Sequence, residues 1–340
     1  MKILYIGANS GTSAVRARAL GRMGHVVTLV DPTNSIRIRN LGSRWLMRLG
    51  GIGMEPFVLS YLKKQITPGH WDVLWVDAGA WIGPKSLAWL ERLAQKRLLY
   101  VNDNPFVPRD GLRWELLKKA LPKYDLFATP RESTRVAGLK AGAKRVHRFY
   151  FAADEVDHHP QSLSEADLAL YQSKVSFIGT WMEGRDEFVA TLVRAGVPVK
   201  VFGPRWEKSP RFAEIKDVVV AGGLSVTEYT KAVQAADICI GLLSEGNQDL
   251  HTQRSVEVPA IGSLLCATRT SEHTSLYKEN VEAVFFDTAE ECASICLDLL
   301  KNPEKIKSIA EAGRARSLIN RTYHEQQMGA ILEDLFAESQ

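Results

Sequence analysis

The sequence predicts an α/β protein made of two doubly wound, Rossmann-like domains. Three observations lead there. An apolar strand ending in a glycine turn and running into a helix opens the chain (MKILYIG), and the same pattern restarts independently at KVSFIGT. Between the two openings, from Ala152 to about Ser173, the composition turns polar, as a linker does. At 340 residues the chain is also too long for one ordinary core, and two domains of about 150 residues are expected.

Composition narrows the function classes. Hydrophobic residues make up 45% and charged residues 24%, ordinary for a soluble globular protein. No apolar run reaches the roughly 18 residues that span a bilayer, and Met1-Lys2 leads straight into a strand, so no signal peptide is expected. The net charge of +4 is mild. It suits an anionic small molecule or a weakly attracting membrane surface and gives no reason to expect nucleic acid. The four cysteines, Cys239, Cys266, Cys292 and Cys296, show no C-x-x-C and no zinc spacing, so buried free thiols in a reducing cytoplasm are expected.

In the first half, MKILYIG is followed by a helix to about Met23 and by the strand HVVTLVD. The turn between them holds Gly7, Asn9 and Gly11. It lacks the G-x-G-x-x-G spacing of dinucleotide sites, and serves either chain geometry alone or close approach of a substrate to the backbone. Residues 33–66 are basic and partly amphipathic: Arg37, Arg39, Arg44 and Arg48 alternate with Ile, Leu, Trp and Met. They read as a solvated helix or as an acceptor-side or membrane-facing surface. WDVLWVDAG is the third strand, Pro84 to Gln95 a helix, and LLYVNDNPF the fourth strand. YDLFA and RVHRFYF follow as the fifth and sixth. Asp77, Asp103 and Asp110 fall at or after strand ends on one edge of this sheet. Each is what a turn needs, and each could orient an acceptor hydroxyl or act as a base. His158 and His159 beside Pro160 have no accompanying ligands and read as exposed linker residues.

In the second half, GRDEFVATLVRAG is the helix after KVSFIGT and VPVKVFG the next strand, ending in Gly203-Pro204-Arg205-Trp206. Trp206 either stacks on a nucleotide base or packs at a domain rim. A short strand, a helix capped by Ser225 and the strand ADICIGL lead to the stretch that organises the chain, ICIGLLSEGNQDLHTQRSVEVPAIGSLLCAT. It reads as strand, polar loop, helix and strand, a βαβ unit whose loop lies at the ligand-binding edge of a parallel sheet. Asp249 precedes the helix and Glu257 lies within it, seven residues apart. Beyond it come a helix near Ser271–Tyr277, the strand EAVFFD, the helix AEECASICLDLL, a helix opened by Pro303, and a last helix from Tyr323 to Phe336.

The Asp249-x7-Glu257 pattern, with Val-Pro-Ala-Ile-Gly262 after the second acid, resembles the E-x7-E signature of retaining nucleotide-sugar glycosyltransferases of the GT-B fold. Asp249 stands where that signature has its first Glu. Arg185 matches the basic residue that such enzymes carry after the glycine of the second opening, here Gly179, and Thr180 stands where a second cation is common. SFIGT…GRDEF, the Tyr229-to-Ile240 segment, TQRSVEVPAIGSLLCATRT and Arg321-Thr322-Tyr323 together resemble the spore-maturation-protein (CgeB-like) branch, over nearly the whole chain.

That resemblance implies two Rossmann-like domains facing an interdomain cleft. Residues 1–160 would form the acceptor side and 171–321 the donor domain, with 322–340 crossing back to brace the first. It implies transfer of a hexose-type sugar from a nucleotide-diphosphate donor, UDP among the expected nucleotides, with retention and without a metal or other cofactor. Arg185 and Arg254 are expected on the diphosphate, with Asp103 as a further catalytic candidate. Gly179, Thr180, Arg205, Asp249, Arg254 and Glu257 are the donor-binding set. Gly7, Asn9, Gly11, Asp77 and Asp110 form the acceptor side. The acceptor itself, whether glycan, protein or small molecule, is not specified. Two other readings are a non-catalytic nucleotide- or sugar-binding module on the same scaffold and a Rossmann oxidoreductase. The missing G-x-G-x-x-G and ribose-binding acid argue against the oxidoreductase.

Overall fold

Two six-stranded parallel sheets form the framework, and the computed structural model describes residues 1–35 and 39–337. Arg37 and the side chain of Arg39 lie outside the described residues. The chain divides into two units. Unit 1 is Met1–Tyr150, joined by Ser244–Asp249 and by the segment from His324 onward; unit 2 is Phe151–Leu243 with Leu250–Tyr323.

In unit 1 the strands are β1 (Lys2–Ile6), β2 (Val26–Val30), β3 (Trp71–Asp77), β4 (Ala94–Tyr100), β5 (Leu126–Thr129) and β6 (Val146–Arg148), in the order β2-β1-β3-β4-β5-β6. Alternate residues point to opposite faces, so the apolar stretches of β1, β3 and β4 feed two cores. Leu4, Ile6, Leu74, Val76 and Leu99 enter one core. Ile3, Tyr5, Val73, Trp75, Leu98 and Tyr100 enter the other, where Met328, Ile331, Leu332 and Leu335 of the last helix (His324–Phe336) cover them. The spacing of those four residues puts them on one helix face. Tyr5, Trp75, Tyr100 and Phe149 stack in a row across this second face, with centroids 6.1, 5.6 and 4.6 Å apart.

In unit 2 the strands are β7 (Ser173–Ile178), β8 (Val199–Gly203), β9 (Val219–Ala221), β10 (Ala236–Gly241), β11 (Leu264–Thr268) and β12 (Val284–Phe286). Their order is β12-β11-β10-β7-β8-β9. The chain therefore leaves β7 toward β8 and β9, then returns to the opposite side of β7 for β10. One core packs Val175, Phe177, Val201, Ile238, Ile240, Leu264 and Val284 under the flanking helices.

Several local expectations are corrected. The helix from Pro84 ends at Leu90, and Ala94-Gln95-Lys96-Arg97 starts β4, because Trp71 to Leu74 of β3 pair with this polar stretch. The segment read as linker contains a helix, Glu165–Tyr171, closed by a capping box between Ser164 and Asp167. Cys239, Cys266, Cys292 and Cys296 are buried free thiols. The sulfurs of Cys266, Cys292 and Cys296 lie within 4.8 Å of one another, a grouping that sequence spacing does not disclose. Among the described residues no helix is long and apolar enough to cross a membrane.

Candidate functional site

Where a parallel sheet reverses its strand order, neighbouring loops diverge and leave a crevice at the carboxyl edge. In unit 2 that place lies between β7 and β10. The backbone after β7 turns sharply at Gly179. A Cβ there would meet the Phe177 ring at 2.9 Å and Arg185 Nη1 at 3.3 Å. Gly203, at φ +149, ends β8 so close that a Cβ would lie 2.1 Å from the Gly179 carbonyl oxygen, which also accepts the Trp206 indole N–H at 2.9 Å. Both glycines are steric requirements of this edge.

Two guanidinium groups gather at this turn. Arg185, the first residue of the helix Arg185–Arg194, donates from Nη1 to the Thr180 carbonyl (2.9 Å) and from Nη2 to the Leu243 carbonyl (3.3 Å). It thus spans the ends of β7 and β10, with its guanidinium 5.5 Å from the centre of the Phe177 ring. Arg254, in the first turn of the helix Gln253–Ile261, donates from Nε to the Ile178 carbonyl at 3.3 Å. Its guanidinium sits 5.1 Å over the Tyr229 ring. Burial works against the Arg254 charge, and Tyr229 and Glu257 more than offset it, so its pKa is raised and it stays a cation.

The two helix ends differ. The helix at Arg185 already carries Asp186 and Glu187 in its first turn, which answer its positive end. The helix at Gln253 has no acid in its first turn; Thr252 and Ser255 close a capping box. His273 steadies that cap: its Nε2 accepts from Ser255 Oγ at 2.7 Å while its Nδ1–H donates to the Thr268 carbonyl at 2.6 Å. Desolvation pushes the His273 pKa down to about 4. Further into the same helix, Glu257 is 3% exposed, with His158 Nε2 3.9 Å from its Oε1. An apolar Val256, Val258 and Pro259 surround it in sequence, and Gly262, at φ +104, ends the helix.

The other expected donor residues lie as follows. Arg205 is exposed just beyond β8 in a left-handed conformation. Trp206 neither stacks outward nor lies at a rim; it is 1% exposed in the unit 2 core, edge-on to Phe177. His158, read as an exposed linker residue, is buried, whereas His159 is exposed. Asp249, expected with Glu257 on the donor, belongs to unit 1 and is locked in a buried ion pair with Arg131, which also donates to the Asn102 carbonyl.

Unit 1 has its own reversal, between β1 and β3, and there the carboxylate is consumed. Asp77 Oδ2 accepts Arg16 Nε at 2.9 Å, Arg16 Nη2 at 2.7 Å and the Tyr5 hydroxyl, with both charged side chains almost wholly buried. This corrects the expectation of an open acid at the sheet edge. Gly7 is needed because a Cβ would strike Ser13 Oγ and the Tyr5 ring at 2.7 Å. The Asn9 amide donates to Asp31 at 3.0 Å, and Gly11 opens the first helix at φ +57. Asp110 is held by Arg109 and by the Trp114 indole at 3.0 Å, so it too is engaged. Asp103 remains the more open, with 35% of its side chain exposed, held by Arg109 at 3.0 Å and Asn247 at 3.2 Å.

Comparison with known proteins bears on the fold. The family model described as "Glycosyl transferase-like" matches residues 185–333. No curated protein matches the chain. Among solved structures, a sucrose-phosphate synthase from Thermosynechococcus elongatus is similar at TM-score 0.70 and 15% identity, covering all of both chains. Anabaena HepE in complex with UDP and glucose follows at TM-score 0.66 and 12% identity, covering 98% of this chain and 100% of that one. An E. coli trehalose-6-phosphate protein bound with UDP-2-fluoro glucose gives TM-score 0.64 and 11% identity over both full chains. The chain has the two-domain GT-B fold, and the part of it that the glycosyl transferase-like family model matches is residues 185–333.

Proposed function

We propose that this protein moves a sugar from a nucleotide-diphosphate donor to an acceptor hydroxyl, with the donor held at the β7/β10 edge of unit 2. The observation that carries the reading is the convergence of Arg185 and Arg254 on the carbonyls either side of Gly179. In the reaction the bond from the anomeric carbon to the β-phosphate oxygen breaks and the acceptor oxygen bonds to that carbon. The acceptor proton leaves with the departing phosphate. Negative charge grows on the diphosphate, and two positioned guanidiniums beside an acid-free helix end are suited to receive it. Gly179 and Thr180 let the phosphates approach the backbone, and Arg205 adds an exposed cation nearby in sequence to Gly203. Glu257, an acceptor-only carboxylate when ionised, would hold donor hydroxyls, most naturally those of the ribose.

Retention and independence from a bound metal belong to the same reading. The cations are side chains, and no D-x-D triplet occurs in the sequence. The UDP held by the Anabaena and E. coli neighbours supports a uridine donor here. The acceptor side falls to the strand ends of unit 1 around Gly7, Asn9 and Gly11, with Asp103 the acid best able to meet a hydroxyl. Four buried free thiols support a reducing, cytoplasmic setting.

A thermal-shift series with UDP, GDP, ADP and CDP tests donor binding. A ligand at 100 times its dissociation constant adds about 2.7 kcal/mol to stability, and UDP is expected to give the largest shift. Turnover is expected to persist in EDTA; loss that manganese or magnesium restores would contradict the metal-independent reading. A non-catalytic binding module is the second reading, favoured by the capture of Asp249 by Arg131. Release of free sugar from the donor would exclude it.

A further inference from the structure

Three of the four buried thiols meet at one point in unit 2. Cys292 and Cys296 stand four positions apart on the helix Ala289–Leu300, so they share a helix face. Cys266 lies in the middle of β11 and belongs to the same core. The Cys266 and Cys292 sulfurs are 3.8 Å apart, and all three sulfurs lie within 4.8 Å of one another. Cys239 shows the contrast. It sits between Ile238 and Ile240 on β10, so its side chain takes the opposite sheet face, where the thiol donates to the Val233 carbonyl at 3.6 Å.

Thiolate bonds to a zinc-sized atom are about 2.3 Å long, so sulfurs that share one atom stand roughly 3.5–4 Å apart. The cluster is near that spacing before anything binds. Charge decides which atom suits it. Cys266, Cys292 and Cys296 share their core with apolar residues such as Ile240, Leu264, Val284 and Phe286. Three thiolates keep one net negative charge around a zinc ion and two around a cuprous ion, which such surroundings penalise. Zinc also calls for a fourth ligand, and among the described residues no His, Asp, Glu or further Cys joins the group. A trivalent arsenic centre takes three sulfurs, carries a lone pair in place of a fourth ligand and leaves the whole neutral.

We propose that Cys266, Cys292 and Cys296 form a binding site for a trivalent, three-coordinate arsenic centre, delivered as arsenous acid. Each thiol gives its proton to one hydroxide of the acid. Three As–O bonds break, three As–S bonds form and three waters leave, with arsenic still trivalent and no sulfur oxidised. Reactant and product are both uncharged, so neither entry nor capture places an ion in the core. The site stands apart from sugar transfer, since Ala267 and Thr268 separate Cys266 from the carboxyl end of β11. Bound arsenic pins the helix Ala289–Leu300 to that strand.

The test is native mass spectrometry after incubation with sodium arsenite and removal of the excess, with a phosphine as the only reductant. It compares the wild type with Cys266→Ala, Cys292→Ala, Cys296→Ala and Cys239→Ala, and melting curves confirm folding. The wild type and Cys239→Ala are expected to gain the mass of one arsenic less three hydrogens. The other variants, left with two thiols and an As–OH, should hold arsenic about a hundredfold more weakly. X-ray absorption of the loaded wild type needs no variant and is expected to show three sulfur neighbours and no oxygen. Wild-type protein that carries no arsenic, an oxygen bound to that arsenic, or equal retention by all four variants overturns the site. Zinc or cuprous ion retained in preference to arsenite, when supplied in equal amounts, overturns the assignment to a neutral centre.

Discussion

The two sheets reverse their strand order at equivalent places, yet the two crevices hold opposite chemistry. In unit 1 the β1/β3 reversal is filled by the buried ion pair of Arg16 and Asp77, whose Oδ2 also accepts the Tyr5 hydroxyl, while Arg16 Nη1 has no hydrogen-bond partner among the described residues. In unit 2 the β7/β10 reversal holds Arg185 and Arg254, whose hydrogen bonds include those to the Thr180, Leu243 and Ile178 backbone carbonyls. A carbonyl compensates a guanidinium only in part. One crevice sets a guanidinium against a carboxylate, and the other sets two guanidiniums against backbone carbonyls. The same supersecondary unit is thus a structural joint in one place and a candidate site in the other, and side-chain pairing decides which.

Breaking the unit 1 joint should have the largest effect. Asp77→Ala leaves Arg16 buried without a counter-charge and is expected to cost about 3–5 kcal/mol of unfolding free energy. Denaturant melts check this, and a cost below 1 kcal/mol would place the pair on the surface in energetic terms. In unit 2 the equivalent stabilising device is an uncharged one. Since burial holds His273 at about 4 in the fold against an ordinary 6.5, the unfolded chain takes up a proton first as pH falls. Its contribution is present above pH 6.5 and lost as pH drops toward 4, about 2 kcal/mol of it by pH 5. Melts of wild type and His273→Gln from pH 7 to 5 should converge as the pH falls; parallel curves would remove His273 from the account.

The smallest effect concerns the outer surface of unit 1. Trp45, Met47, Ile52 and Phe57 are exposed there among Arg44 and Arg48. Weak binding to vesicles containing anionic lipid is expected, falling several-fold in Trp45→Ala/Phe57→Ala and on raising salt. Equal recovery on neutral and anionic vesicles in a sedimentation assay would leave this face to another partner.

The strands and most helices were legible because each carries its own pattern: apolar runs bounded by Gly7, Gly179 and Gly203, and the Ser225 cap. The start of β4 was not, since Ala94-Gln95-Lys96 has no strand pattern and is drawn into the sheet by its pairing with β3. The helix Glu165–Tyr171 did carry a signal, the Ser164-x-x-Asp167 capping pattern, inside a segment whose polarity suggested a linker. Of the site, Arg185, Arg254 and Glu257 could be placed by their distance from strand ends. Asp249 could not, because its partner Arg131 is 118 positions away. His158 and Tyr229 reach Glu257 only through tertiary packing, and nothing local in the sequence marks them.

The central claim is that Arg185 and Arg254 act on one diphosphate. Turnover at saturating donor, measured for wild type, Arg185→Ala, Arg254→Ala and the double variant, tests it most directly. Loss of one positioned donor to developing charge costs about 10²–10³ in rate. Each single variant is expected to approach that loss, and the double variant to lose less than the product of the two, since both serve the same group. Near-wild-type turnover in either single variant, or strictly multiplicative losses in the double, would contradict a shared phosphate site.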